Sequence, residues 1–357
     1  MSERRAFVIA LMAGCATLAD GEPGLDATPS ANAGPFRLLR SGEVGLGRAA
    51  PNVLAEPSFE ASELAALRAD DESNPLSLVG YVSALFPTED PDVKVRGLGR
   101  VTSIDGRTFG REVEALLIPT EAWEGAALRS PSVARAPNGD VWIAYAGDLG
   151  IAVVREDEGV LENAKAPVLR LEDLVEGRSS PQEPGLVFLP DGSARLFYST
   201  AINGGRIAIG VAELEGGLDG TLSFADRGIV LSNAGSGSRV SGPCAVVLEP
   251  KAPADEDPDP ARAILHLYFA SQEDEGARAQ IGMAARFLNG SGEALTRSEA
   301  VMYRPANDLE AREPSVVRFE DFSMLFVTQR TTEGTASPLV VAGVAPADAA
   351  LPIADPP

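Results

Sequence analysis

The stretch SSPQEPGLVFLPDGSARLFYST, residues 179–200, decides how the chain folds. It reads as a loop, an apolar strand opened by Glu183-Pro184, a tight Pro-Asp-Gly-Ser turn and a second strand rich in apolar and aromatic residues. Two apolar runs about a glycine-bearing turn are the signature of a β-hairpin. The same start recurs along the chain, as SNPLSLVG at Pro75, RSPSVARA at Pro131, SGPCAVVL at Pro243 and REPSVVRF at Pro314. With Pro184 included, the prolines are 56, 53, 59 and 71 residues apart.

Each start leads into a second strand (GYVSALF, DVWIAYAG, ARLFYST, ILHLYFAS and FSMLFVTQ) and a third that carries glycine or small residues (RGLGRVTS, GIAVVRE, RIAIGVAE, AQIGMAAR and PLVVAGVA). Four units add an edge-like fourth strand, EVEALLIP, APVLRLED, GIVLSN and EAVMYRP. The fifth has none of its own, and APNVLAEP at residues 50–57 resembles APVLRLED, so it is expected to close the last sheet. Four strands repeated five times predict an all-β fold, a five-bladed β-propeller over residues 50–346 with four-stranded antiparallel blades and the last blade closed by an N-terminal strand.

The flanks read differently. MSERRAFVIALMAGC has a basic start, a short apolar run and small residues before Cys15. That is the pattern of a secretory signal, too short for a membrane span. Residues 11–15, LMAGC, resemble a lipobox, which makes residues 1–14 a lipoprotein signal peptide and Cys15 the lipidated residue. Ala16 after it suggests the outer membrane. Residues 15–49, rich in Ala, Gly, Pro and Ser, read as a flexible tether, and 347–357 as a disordered tail.

Composition narrows the partners. With 52 acidic and 30 basic side chains the net charge is −22, which repels nucleic acid, so membrane contact is expected through the lipid alone. Cys244 is left without a disulfide partner, and stability must come from a packed core in a chain that is 45% hydrophobic. The single histidine, His266, lies in mid-strand, so neither a Ser-His-Asp triad nor a histidine metal site is predicted, and no cofactor motif is present. The acidic runs at 253–262 and 271–280 lack EF-hand spacing and read as solvated loops. A monomer is expected.

LGRVTSIDGRTFGREVEALLIP (residues 98–119) and the repeated Pro-Ser-Val starts resemble the five-bladed glycoside hydrolases of families 43 and 32. The resemblance implies that the residue before the proline of each inner strand points into a central pocket, and that carboxylates in the first three blades do the chemistry. The family-32 pattern is Asn-Asp-Pro, Arg-Asp-Pro and Glu-Cys-Pro. The matching positions here are Ser73-Asn74-Pro75, Arg129-Ser130-Pro131 and Glu183-Pro184. Glu183 then occupies the general-acid position, while Asn74 and Ser130 replace both aspartates.

Glycoside hydrolysis needs two carboxyl groups across the scissile bond. Glu313, in the fifth start, is the candidate second carboxylate, with Asp70, Asp71 and Glu72 nearby in sequence to Asn74. Asn74, Ser130, Arg129 and Arg312 are candidate sugar-binding groups, the arginines through paired hydrogen bonds. Trp123, in a loop, is a candidate stacking platform, whereas Trp142, in an alternating strand, is expected in the core. The expected function is an envelope lipoprotein that binds or processes carbohydrate, with hydrolysis weak or absent. The alternatives are an active hydrolase using Glu183 as acid and a protein-interaction scaffold.

Overall fold

The computed structural model describes residues 33–39 and 61–346, apart from breaks at 72, 89, 91, 158, 219–221, 249–262, 289–294, 307 and 333–337. The signal, Cys15, Ala50–57 of the expected closing strand, Glu72 and the tail therefore lie outside the described residues. No α-helix occurs among those described, and none of them forms a helix long and apolar enough to cross a membrane.

Strands follow one another as antiparallel meanders. The first holds β2 (Ser62–Arg68), β3 (Leu78–Pro87), β4 (Lys94–Ser103) and β5 (Gly110–Leu117). The second holds β6 (Arg129–Arg135), β7 (Val141–Ala146), β8 (Gly150–Arg155) and the two-residue β9 (Leu169–Arg170). In the third come β10 (Gln182–Phe188), β11 (Ala194–Ile202), β12 (Arg206–Glu215) and β13 (Ser223–Leu231), and in the fourth β14 (Arg239–Leu248), β15 (Ile264–Gln272), β16 (Gln280–Phe287) and β17 (Thr296–Arg297). A single parallel pair, Ile207 with Arg239, merges these two meanders into one eight-stranded sheet. The fifth holds β18 (Leu309–Arg318), β19 (Ser323–Thr331) and β20 (Leu339–Ala345), with β1 (Arg37–Leu38) on its outer edge.

The turns form as their residues dictate. In PNGD and PDGS the glycines Gly139 and Gly192 adopt φ of 94° and 82°, a region open to glycine without steric cost. The fourth strand expected in EAVMYRP reduces to β17 just upstream of it and an isolated bridge between Ile281 and Tyr303.

Two expectations are corrected. The last sheet is closed from the N-terminal side, but by Arg37 and Leu38 against Val344 and Gly343, inside the segment read as tether. Ala33, Phe36 and Leu39 are buried there, and the Phe36 ring lies edge-on to Tyr268. The first meander does not start at Pro75 either, since that proline sits in the turn before β3 and the inner strand is β2, SELAALR, with Leu64 where the other inner strands carry proline.

Inner strands touch in the cyclic order β2, β6, β10, β14, β18 and back to β2. Apolar clusters fill each junction: Leu98 with Tyr145, Trp142 with Leu186, Phe197 with Leu265, Tyr268 with Leu325, and Phe326 with Val82 where the ring closes. Side-chain acceptors lock three of these junctions at the axis. The Ala66 amide donates to Ser315 Oγ at 3.0 Å, the Leu186 amide to Ser132 Oγ at 2.9 Å, and the Val316 amide to Cys244 Sγ at 3.3 Å.

Ser315→Ala leaves the buried Ala66 N–H without an acceptor at the closing junction. The expected loss is about 1–3 kcal/mol, the cost of an orphaned buried donor, read as a lower urea midpoint at unchanged slope. An unchanged midpoint would show that the closure does not depend on this bond.

Candidate functional site

Every inner strand carries the same irregularity. The register with the second strand shifts between Ser62 and Ala65, Arg129 and Ser132, Gln182 and Gly185, Ser241 and Cys244, and Arg312 and Ser315. A bulge inserts an extra residue that the ladder does not pair and re-aims its side chain. The residues so displaced are Glu63, Ser130, Glu183, Gly242 and Glu313, with φ of 61°, 50°, 48°, 60° and 52°. Among the described residues, those four non-glycine members are the only non-glycine residues with positive φ. Side chains in that region are disfavoured by about 1–3 kcal/mol each and persist where surrounding structure enforces them. Proline follows four of the five heads, and a bulge is a place in a sheet that tolerates its missing N–H.

All five heads line one axial cavity that opens to solvent at its mouth. In ring order the heads run Glu63, Ser130, Glu183, Gly242, Glu313, so three carboxyl groups face the same space. Glu63 Oε2 accepts the Ser130 amide at 2.6 Å, and Glu183 Oε2 accepts the Gly242 amide at 2.9 Å. The Gly242 amide also reaches Ser199 Oγ at 3.0 Å, and the Glu63 amide reaches Thr328 Oγ1 at 3.1 Å. Arg330 stands between neighbouring carboxylates, 3.1 Å from Glu313 Oε1 and 3.7 Å from Glu63 Oε1. Glu313 Oε2 is buried with no hydrogen-bond partner.

The electrostatics follow. Burial, then the charges of Glu63 and Glu183, raise the Glu313 carboxyl to about 8, with Arg330 and the Thr328 hydroxyl pulling the other way. Burial also raises Glu63, against the Ser130 amide and the charges of Arg330 and Arg96. Gly242 has no side chain, and a Cβ there would sit 3.3 Å from the Glu313 backbone. The heads of β14 and β18 therefore approach each other closely, as a residue without a side chain allows. Cys244 lines the cavity as well, but burial pushes its thiol to about 11, which leaves no thiolate at neutral pH.

The structure brings together Glu183, Glu313 and Ser130, and separates them from the other candidates. Asn74 is a turn residue: its Nδ2 donates to the Ile104 carbonyl at 2.9 Å and its Oδ1 accepts the Leu76 amide. Asp71 caps the same turn through Ser73, and Asp70 pairs with Arg135. Arg129 turns sideways to Asp148 at 3.1 Å, and Arg312 to Glu310 at 2.6 Å, so neither lines the cavity. Trp123 is buried, stacked on Tyr145 with its Nε1 on the Ala164 carbonyl, and offers no platform. Trp142 is in the core as expected. His266 is buried in β15 beside Tyr268, with its imidazole lowered to about 4 by burial and by Arg318.

The residue missed from sequence is Glu63. Aligned on the glutamate instead of the proline, SELAAL, QEPGLV and REPSVV show the same head in three meanders. The first meander thus carries a carboxylate at its head, Glu63, and not at Asn74. No group of three or more His, Cys, Asp or Glu with metal-binding geometry occurs among the described residues.

No protein-family model matches the sequence, and no curated protein matches it either. Solved structures do match in three dimensions. A glycoside hydrolase superposes with a TM-score of 0.59 at 10% identity over 84% of this chain and 91% of its own. The endo-arabinase of Bacteroides thetaiotaomicron gives 0.55 at 12% identity over 82% and 96%, and a glycosyl hydrolase from Bacteroides ovatus 0.54 at 14% over 83% and 88%. The fold is a β-propeller like that of these glycoside hydrolases. At these identities the likeness is one of fold.

Two outcomes follow from the propeller's heads. Ser130→Gly, which keeps the backbone and removes a left-handed side chain, is expected to raise stability by up to about 1 kcal/mol, whereas Ser130→Val lowers it; a urea titration in which both variants matched the parent would remove the strain. Glu313 holds its proton more tightly folded than unfolded, so its contribution is full below pH 4.5 and is lost as pH rises towards 8. Glu313→Gln should therefore gain on the parent between pH 5 and pH 9. A constant difference across that range would contradict the raised carboxyl.

Proposed function

We propose that this chain is a five-bladed propeller, each meander one blade, that hydrolyses glycosidic bonds in its axial pocket. The observation that carries the reading is the convergence of Glu63, Glu183 and Glu313, each on an enforced bulge, upon one cavity. Hydrolysis asks for one carboxyl that gives a proton to the leaving oxygen and one that attacks or activates water. A buried glutamate raised to about 8 beside two others meets the first need, because a donor must hold its proton at working pH. The similar structures whose titles name glycoside hydrolases and an endo-arabinase support a carbohydrate substrate. The net charge of −22 argues against nucleic acid.

The reading extends to place. The basic, apolar and small-residue pattern of residues 1–14 and the lipobox at Cys15 support export and lipid anchoring in the envelope, and Ala16 after the cysteine favours the outer membrane. In that setting the substrate is an oligo- or polysaccharide outside the cytoplasm.

The test is reducing-sugar release by residues 16–357 over a panel of plant and bacterial polysaccharides, beside Glu183→Gln and Glu313→Gln. Release that falls about 100-fold or more in either variant is expected, since removing an acid or base group costs that order of rate. Binding without release from any substrate would mean a pocket that holds sugar without turning it over.

A further inference from the structure

The three pocket glutamates are not equivalent, and the difference lies in what each oxygen touches. Glu63 and Glu183 each present Oε2 as acceptor to a backbone N–H, from Ser130 and Gly242. Both are fixed by the ring itself. Glu313 has no such amide: Arg330 holds its Oε1, while Oε2 is buried and unpartnered. An unpaired carboxylate oxygen away from water is costly, and a proton on it converts an orphan acceptor into a donor looking for a partner. Gly242 lies between Glu313 and Glu183 in ring order and adds no side chain to the cavity that both glutamates line, so a ligand in that cavity meets both carboxyl groups.

We propose that Glu313, from the last meander, is the proton donor to the leaving oxygen, and that Glu183, on the same cavity, is the base that activates water. This rests on the hydrolase reading. It departs from the assignment that the resemblance implies, in which Glu183 is the acid. The charged groups facing Glu313 are Glu63 from β2, Glu183 from β10 and Arg330 from β19. Glu63 is tied to the Ser130 amide and to Arg330, and its charge is one of the causes that raise the Glu313 carboxyl. Burial and these two glutamates outweigh Arg330, which is why the carboxyl is raised.

The step balances. The anomeric carbon–oxygen bond breaks, its electron pair stays on the leaving oxygen, and that oxygen takes the proton from Glu313 Oε2. Water bonds to the anomeric carbon from the opposite face and gives its proton to Glu183. Glu313 is left ionised and Glu183 protonated, and exchange with solvent through the open mouth restores both. One water is consumed per bond.

Two readouts test this on the intact chain from residue 16. The first is the infrared carbonyl band of a protonated carboxylic acid at neutral pH, expected in the parent, lost in Glu313→Gln and kept in Glu183→Gln. Its absence from the parent, or its survival in Glu313→Gln, would overturn the placement of the proton. The second compares kcat/KM on a cleaved polysaccharide with that on the 2,4-dinitrophenyl glycoside of the same sugar, whose leaving group needs no proton. Glu313→Gln is expected to lose about 10²–10⁴-fold on the polysaccharide, the usual contribution of a general acid, and less than about tenfold on the activated glycoside. Equal losses on both, or a leaving-group-selective loss in Glu183→Gln instead, would overturn the assignment. A parent that cleaves nothing would sink the hydrolase reading and the transfer step with it, while the infrared band still judges where the proton sits.

Discussion

A backbone N–H that faces the axis of a ring of sheets has no strand to pair with, and a buried donor left unpaired is costly. The inner strands of this propeller meet that constraint with side chains from the neighbouring strand. Ser132, Ser315 and Cys244 occupy one equivalent position, two residues after the head of their strands, and each accepts an amide of the next strand in the ring. At the corresponding position of the third meander is Gly185, where a Cβ would sit 2.4 Å from the Pro243 carbonyl oxygen. There the sheets approach too closely for any side chain.

The same accounting operates one layer up, at the heads, and there it produces chemistry. The amides of Ser130 and Gly242 find acceptors in Glu63 and Glu183, so two of the three pocket carboxylates are also part of the ring's own bonding. Their left-handed backbones are enforced by bulges on both structural and geometric grounds, which is the usual situation of strain at a working site. Glu313 stands outside that pattern. Its side chain is held by Arg330 and steadied by the Thr328 hydroxyl and takes no backbone amide of the ring, and burial beside two other glutamates raises its carboxyl.

Much of this was legible in the sequence. Hairpins with PNGD and PDGS turns, the glycine-bearing third strands and the proline heads of four meanders all fold as their residues suggest, because local turn chemistry and alternation agree with the tertiary packing. The first meander hides its head because Leu64 stands where the others have proline, while the nearby Asn74-Pro75 imitates one, so the proline pattern does not reveal Glu63. The closing strand is two residues long, Arg37–Leu38, and no periodicity can announce so short an element; what holds it is the burial of Phe36 and Leu39. Trp123, Arg129 and Arg312 show a different limit. Each lies beside a loop or a head in the chain, yet its direction is set by a neighbour in space: Tyr145, Asp148 and Glu310.

The central claim is that five equivalent bulges turn three glutamates into one pocket. A crystal structure of the chain from residue 16 measures it directly. The account expects left-handed φ at Glu63, Ser130, Glu183 and Glu313 and all three carboxyl groups opening on a single axial cavity. An extended backbone at any of the three glutamates, with its side chain turned out to solvent, would contradict it.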